Sequence, residues 1–246
     1  MRMRKKKNGE ARLAACSELI LPPVSSPMER PWEAMGKKSG PVFLEIGAGK
    51  GGFACEMANR NPDASYFAME RVSDCVVLGA ELAKATKDRR TDNLRFVVDT
   101  ADNLVNIFAD GTVDRIFLNF SDPWSKKGYA KRRLTHKRYL AVYLNLLKDG
   151  GVLRFKTDNV GLFDFSLEEI EELGLKCNAV TRDLHNSPYN EGNVMTEYET
   201  AFSNAGMAIN MLEIIKPEGF KIDIPEELGH GEKIFRGKAK DEQDAQ

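Results

Sequence analysis

The sequence lacks the cysteine spacing of a zinc-bound or disulfide-stapled domain. Its four cysteines, Cys16, Cys55, Cys75 and Cys177, are scattered with no CxxC pair, which argues against both and suits a reducing compartment. Histidine is scarce. His136, His185 and His230 have no metal-ligand spacing, so no metal is expected and all three read as surface residues. No apolar run approaches membrane-spanning length, and Glu10, Arg12 and Glu18 interrupt anything that could serve as a signal-peptide apolar segment behind the basic start MRMRKKK. A cytoplasmic protein with no membrane partner is expected. Internal repeats are absent too.

What is present is enough apolar residue, 42% of 246, for one large domain. The net charge of -1 hides an asymmetry: residues 1 to 7 carry five cations and residues 126 to 138 carry seven, with no acid in either block. Removing these twelve from 36 leaves 24 cations against 37 acids, a remainder of -13. Concentrated positive patches on an acidic body suggest a polyanion held at one face. A frayed terminus and a solvated helix end would look the same taken singly.

Residues 8 to 41 are rich in Pro, Ser and Gly and read as an irregular lead-in that Trp32 pins down. From Val42, the stretch VFLEIGAGKGGFACEMANRNPDASYFAMER reads as strand, glycine-rich turn, helix and strand. Gly47 and Gly49 permit a tight turn and close approach of a ligand, while Gly51 and Gly52 open a closely packed helix. Glu70 ends the second strand about twenty residues past the turn, where a carboxylate can accept ribose hydroxyls. Gly47, Gly49 and Gly52 satisfy GxGxxG, so a dinucleotide stays in play. Glu45 favours S-adenosylmethionine instead, because a carboxylate two residues before the first glycine repels a pyrophosphate and attracts an ammonium or sulfonium. Lys50 in the turn weakens that argument.

Further strands are expected at NLRFVVDTAD, TVDRIFLNF and VLRFKTD, alternating with helices. The third strand delivers Asp99, Thr100, Ala101 and Asp102 to the adenine position, and the fourth delivers Asp122. Around Asp122, the run NFSDPWSKKGYAKRR packs five cations and three aromatics into fifteen residues. A helix over LTHKRYLAVYLNLLK is expected to end at Gly150-Gly151, and the next strand brings Asp158 to the same edge. LKCNAVTRDL and TEYETAFS read as two strands joined by a polar loop and added to the sheet edge. The fold class is therefore α/β, a doubly wound and mostly parallel sheet, and its antiparallel edge addition resembles that of the Rossmann-like class I S-adenosylmethionine-dependent methyltransferase fold. Boundaries are set at a basic arm and lead-in over 1–41, a methyltransferase domain over 42–215 and a tail over 216–246.

Taken together, MRMR, LEIGAGKG, NFSDPWSKK, KRRLT, FKTDN, DLHNS and MTEYE resemble the tRNA (guanine-N7)-methyltransferase family, bacterial TrmB type, over residues 1 to about 215. The resemblance implies methyl transfer from S-adenosyl-L-methionine to N7 of a guanine in the tRNA variable loop, leaving S-adenosyl-L-homocysteine. It makes Asp122 the catalytic and cofactor-side acid, with Glu45, Gly47, Gly49, Glu70, Thr100 and Ala101 at the cofactor. It puts Lys126, Asp158, Thr196, Glu197, Tyr198 and Glu199 at the substrate, and Gly128, Tyr129, Ala130, Lys131, Arg132 and Arg133 on tRNA. Thr100 departs from the family's usual Asp or Asn, so the adenine contact falls to Asp99, Asp102 or main chain. The chemistry suits a site of acids, since guanine N7 carries a lone pair and no proton. Trp124 or Tyr198 could stack on the base. An exocyclic amino-methyltransferase, suggested by DPW, and a tRNA-binding protein with a degenerate cofactor site stay open as alternatives. Assembly is not set beyond monomer or homodimer.

Overall fold

The computed structural model describes residues 8–85, 91–225 and 228; the basic block 1–7, His230 and most of the tail lie outside the described residues. In order, the elements are α1 (Gly9–Ala14), β1 (Val42–Ile46), α2 (Gly52–Arg60), β2 (Ser65–Met69), α3 (Ser73–Ala85), β3 (Leu94–Val97), α4 (Leu104–Ile107), β4 (Val113–Asn119), α5 (Lys137–Leu146), β5 (Leu147–Thr157), α6 (Val160–Glu172), β6 (Ala179–Thr181), α7 (Glu197–Asn204) and β7 (Asn210–Ile215). They build one sheet in the order β3-β2-β1-β4-β5-β7-β6. The first five strands are parallel, and β7 runs antiparallel between β5 and β6.

Burial on both faces explains the near-continuous apolar strands. Val42, Leu44 and Ile46 enter a core with Tyr139, Leu140, Tyr143 and Leu144 of α5 and Leu162 and Phe163 of α6. Phe43, Tyr66, Ala68 and Phe117 point the other way, onto Phe53, Ala54 and Ala58 of α2 and Val76, Ala80 and Ala83 of α3. The order reverses beside β1, between β2 and β4, and at such a switch point the helices diverge and leave a crevice at the strands' carboxyl ends.

The lead-in is docked. Arg12 donates twice to Glu81, at 2.7 and 2.6 Å, Ile20 bridges to Phe96, Met28 bridges to Phe108, and Trp32 packs against the larger core as expected. Past β7, the chain doubles back: Asn145 donates to the Ile222 carbonyl and accepts from the Ile222 N–H, at 2.7 and 3.2 Å.

Two expectations fail. TEYETAFS is not a strand but the N-cap and nearly the whole of α7, where Thr196 accepts from the Glu199 N–H and Glu199 accepts from the Thr196 N–H in a full capping box. The spacing Thr-x-x-Glu carried that signal, and the apolar run NMLEII supplies the antiparallel strand instead. Gly150-Gly151 does not end the α5 helix, because β5 begins at Leu147 and runs through both glycines.

Close helix–sheet packing depends on two glycines over one ring. A Cβ on Gly79 would lie 2.7 Å from Phe96 Cε1 and 3.1 Å from the Lys50 carbonyl, and one on Gly51 would lie 2.8 Å from the same ring carbon. Gly79→Ala is expected to destabilise by roughly 1–2 kcal/mol, overpacking outweighing the helix propensity of alanine. Thermal denaturation checks it, and Phe96→Leu in the same background should recover part of the loss.

Candidate active site

Five parallel strands deliver acids to one edge. Glu45 lies inside the end of β1, Glu70 follows β2, Asp99 follows β3, Asp122 lies beyond β4 and Asp158 follows β5. The glycine-rich turn between β1 and α2 has φ of 82° at Gly47 and 54° at Gly49, both in the region that favours glycine. A Cβ at Gly49 would stand in open space, so the turn leaves a cradle beside it. Its N–H groups are partly used: Gly47 and Ala48 donate to the Met69 carbonyl, at 2.8 and 2.9 Å. Glu70 accepts from Gly49 N–H at 3.1 Å and from Val72 N–H at 2.9 Å. It thus ties the turn to β2 while keeping lone pairs for hydroxyl donors.

Glu45 is 1% exposed. Asn119 Nδ2 donates to its Oε1 at 2.9 Å, while Oε2 is buried with no hydrogen-bond partner among the described residues. Burial pushes the carboxyl up from an ordinary 4.5 to about 7, with the Asn119 bond and the Lys156 charge pulling it back. An unpartnered carboxylate oxygen beside an open glycine cradle suits a ligand that brings positive charge.

After β3, the structure uses the acids locally. Asp99 accepts from Thr100 N–H at 2.7 Å and Asn103 Nδ2 at 2.6 Å. Asp102 accepts from Arg138 and the Tyr139 hydroxyl, each at 2.9 Å, so the second candidate is spent on holding α5. Thr100 is half-buried and Ala101 buried, at the start of a 3₁₀ turn over Ala101–Asn103.

Past Asn119 the backbone departs from ordinary geometry, with φ of 52° at Phe120 and 41° at Trp124. Both are costly for non-glycine residues. The loop is pinned by the Phe120 N–H on the Lys156 carbonyl at 2.9 Å and by Arg133, which donates to the Pro123 and Trp124 carbonyls at 3.0 and 3.2 Å. Asp122 is exposed and has no hydrogen-bond partner among the described residues. The cations behind it divide. Arg133, expected on tRNA, is half-buried and turned inward, its guanidinium also 4.3 Å from the Phe165 ring. Arg132 lies 5.1 Å from the Trp124 ring and 4.8 Å from the Tyr129 ring. Lys126, Lys127 and Lys131 are exposed, in and beside a 3₁₀ helix over Lys127–Arg132 that also holds Gly128 and Ala130.

The residues expected at the substrate separate by depth. Glu199 is fully buried and accepts from Lys156, from His185 at 2.9 Å and from Asn193 at 2.7 Å. Burial raises its carboxyl, but Lys156 with these donors holds it below the ordinary range. Thr196 caps α7. Glu197 is exposed and pairs with Lys50 of the glycine-rich turn at 3.4 Å, and Tyr198 is 62% exposed, its ring stacked on Phe202. Asp158 is half-buried.

The sequence reading missed Asn119, Lys156, His185 and Asn193. Asn119 and Lys156 sit opposite each other on β4 and β5; Asn119 reads as the polar end of an apolar run, and Lys156 occupies an alternating polar position that a solvent-facing strand would also show. His185, expected at the surface, lies between Glu199 and Ser203. His136 caps α5 by accepting from Arg138 N–H at 3.2 Å.

A doubly wound parallel sheet with a reversed β7, a glycine-rich turn after β1 and acids along the carboxyl edge defines a class I methyltransferase fold. Two solved methyltransferases share that fold: KamB, a 16S rRNA methyltransferase, with a TM-score of 0.59 at 14% identity over 81% of this chain and 98% of its own, and an antibiotic-related methyltransferase, with a TM-score of 0.53 at 15% identity over 74% of this chain and 90% of its own. A family model described as "Putative methyltransferase" matches residues 39–212. The tRNA (guanine-N(7)-)-methyltransferase of Geobacillus sp. (strain WCH70) is 41% identical over 88% of this chain and 96% of its own length, and that of Bacillus subtilis (strain 168) is 39% identical over 87% and 98%. The chain belongs to the tRNA (guanine-N7)-methyltransferase family.

Glu45 yields a pH prediction. Because its folded-state value lies above the unfolded one, the native state binds more protons between about 4.5 and 7, and stability falls as pH rises through that window. Above pH 7 the full penalty is present. Glu45→Gln is expected to raise stability by on the order of 2–3 kcal/mol at pH 8 and to lose that advantage near pH 4.5. Denaturant titrations at both values test it; equal gains would mean that the buried charge is not the cause.

Proposed function

We propose that the chain transfers a methyl group from S-adenosyl-L-methionine to N7 of a guanine in the variable loop of tRNA. The observation that carries this reading is the convergence of Glu45, the glycine-rich turn, Glu70 and the strained Asp122 loop at one sheet edge, in a chain that shares 41% identity over 88% of its length with a tRNA (guanine-N(7)-)-methyltransferase.

Bound there, S-adenosylmethionine supplies an electrophilic methyl. Glu45, with its unpartnered buried oxygen, suits the methionine ammonium, Glu70 suits the ribose hydroxyls, and Gly47, Gly49, Thr100 and Ala101 line the way to the adenine. With both acids after β3 turned to other partners, the adenine is read by main chain. Guanine N7 needs no general base, so the protein's contribution is orientation and charge. Holding the reactants in line supplies up to about 7–11 kcal/mol.

Asp122 is the residue for the second task. Methylation leaves the guanine cationic, and an exposed carboxylate on a stiff loop at this edge stabilises the growing charge or accepts from the base's N1 and N2 donors. Asp158, Thr196 and Tyr198 complete the substrate side, with Tyr198 free to stack. Lys126, Lys127 and Lys131 hold phosphates, giving affinity without sequence readout.

Labelled methyl transfer into unmodified bulk tRNA, followed by cleavage at N7-methylguanine, tests the reading. Label with cleavage in the variable loop is expected; label without cleavage would move the assignment to an exocyclic amine. Asp122→Ala should lower transfer by about 100-fold or more with the fold intact by circular dichroism. Replacing Lys126, Lys127 and Lys131 together by Ala should reduce the slope of log affinity against log salt by roughly 2–3. An unchanged slope would remove these lysines from the phosphate contacts.

A further inference from the structure

Lys156 is a lysine placed where lysines are rarely found. It is 1% exposed, near the carboxyl end of β5, with Phe53 of α2 5.3 Å from its ammonium. Its three N–H donors are all used, on Glu199, on Asn193 Oδ1 at 3.1 Å and on the Val194 carbonyl at 2.9 Å. Asn193 in turn donates to Glu199 at 2.7 Å, and His185 meets the other side of the same carboxylate. A polar cluster is thereby closed around one buried carboxylate, with each strong group satisfied.

The cluster joins β5 to segment 185–199, far apart along the chain, and other contacts of that segment reach further. Segment 193–202 makes contacts toward both the glycine-rich turn and the Asp122 loop. At one end Val194 packs with Phe53 and Phe117 and Glu197 reaches Lys50 of the glycine-rich turn. At the other, the Phe202 ring lies 6.2 Å from Phe120, the first residue of the Asp122 loop. Phe120 itself hangs on the Lys156 carbonyl. One residue of β5 therefore anchors the Asp122 loop by its backbone and the N-terminus of α7 by its side chain.

We propose that Lys156 is a positioning residue for the reaction, acting through Glu199: it fixes segment 193–199 against β5 so that Thr196 and Tyr198 are set for the guanine, and Glu199 is its internal anchor rather than a substrate contact. This rests on the function proposed above. Desolvation of an ammonium is costly, and an apolar residue would fill the volume more cheaply. Geometry is what the charge adds, since three directed bonds fix the segment's position and hydrophobic contact alone does not.

The test compares wild type, Lys156→Met, Glu199→Gln and the double variant Lys156→Met/Glu199→Gln in three measurements: thermal midpoint, S-adenosylhomocysteine affinity by calorimetry, and kcat and KM for tRNA methylation. Wild type is assayed first; no methyl transfer by it overturns the proposed function and this inference with it. With wild type active, Lys156→Met should lower the midpoint, because it strands a buried carboxylate, and the double variant should bring it back to within a few degrees of wild type. Transfer should not return with it: the double variant is expected to stay down by about 100-fold in kcat/KM, with S-adenosylhomocysteine affinity within about threefold of wild type. Activity that recovers in step with stability makes Lys156 a merely structural residue and overturns the proposal. A double variant that fails to recover its midpoint overturns it too, because Lys156 would then act through something other than Glu199.

Discussion

A parallel sheet sends the carboxyl end of every strand to one edge, and in this protein that edge must hold charge. The crevice beside β1 exists because strand order reverses there, and each parallel strand ends in or near an acid. Acids gathered at one edge repel one another and resist burial, so the surrounding structure is largely a set of devices for keeping them in place. Asn119 donates to Glu45, Gly49 and Val72 N–H groups hold Glu70, and Arg138 with Tyr139 draws Asp102 away toward α5. Glu45 remains incompletely compensated, which is why burial drives its carboxyl to about 7.

The cations show the complementary arrangement. A run of positive charge read along the chain looks uniform, but the fold sorts it by depth. Arg133 faces inward to hold the Asp122 loop by two carbonyls, Arg132 rests on two aromatic rings, and the lysines stand out in solvent. The guanidinium's planar fork suits the first two tasks, and the hydrated ammonium suits the third. Strain in the loop, with positive φ at Phe120 and Trp124, is held by these same contacts. Loop geometry and surface charge thus come from one stretch of sequence, divided between residue types by their hydration.

The start of α7, where the family resemblance puts substrate contacts, is organised from beneath. The capping box that starts α7 puts Glu199 inside the protein, and its carboxylate is buried because Lys156, His185 and Asn193 converge on it. Four neighbouring residues with similar polarity, Thr196 to Glu199, consequently differ in accessibility. Thr196 is a cap, Glu197 a surface ion pair, Tyr198 an exposed ring and Glu199 a buried anchor.

Much of this was legible in the sequence. Apolar runs bounded by glycine and proline marked the five parallel strands, the glycine turn with Glu45 and Glu70 marked the crevice, and spaced motifs marked the family, because each depends on local backbone preference or on residues close in sequence. What tertiary structure alone decided was depth and partnership. The helix at TEYETAFS in place of a strand is the exception, since its four-residue capping box was there to be read against β-favouring Thr and Tyr. The use of Asp102 by a helix 36 residues away, the inward turn of Arg133 and the burial of Lys156 under α2 and segment 193–194 are invisible to periodicity, since an alternating polar residue reads the same whether water or another segment covers it. The sequence by itself determined which strands form and which chemical groups reach their ends; the packing of distant segments over those ends decided which groups stay free to act.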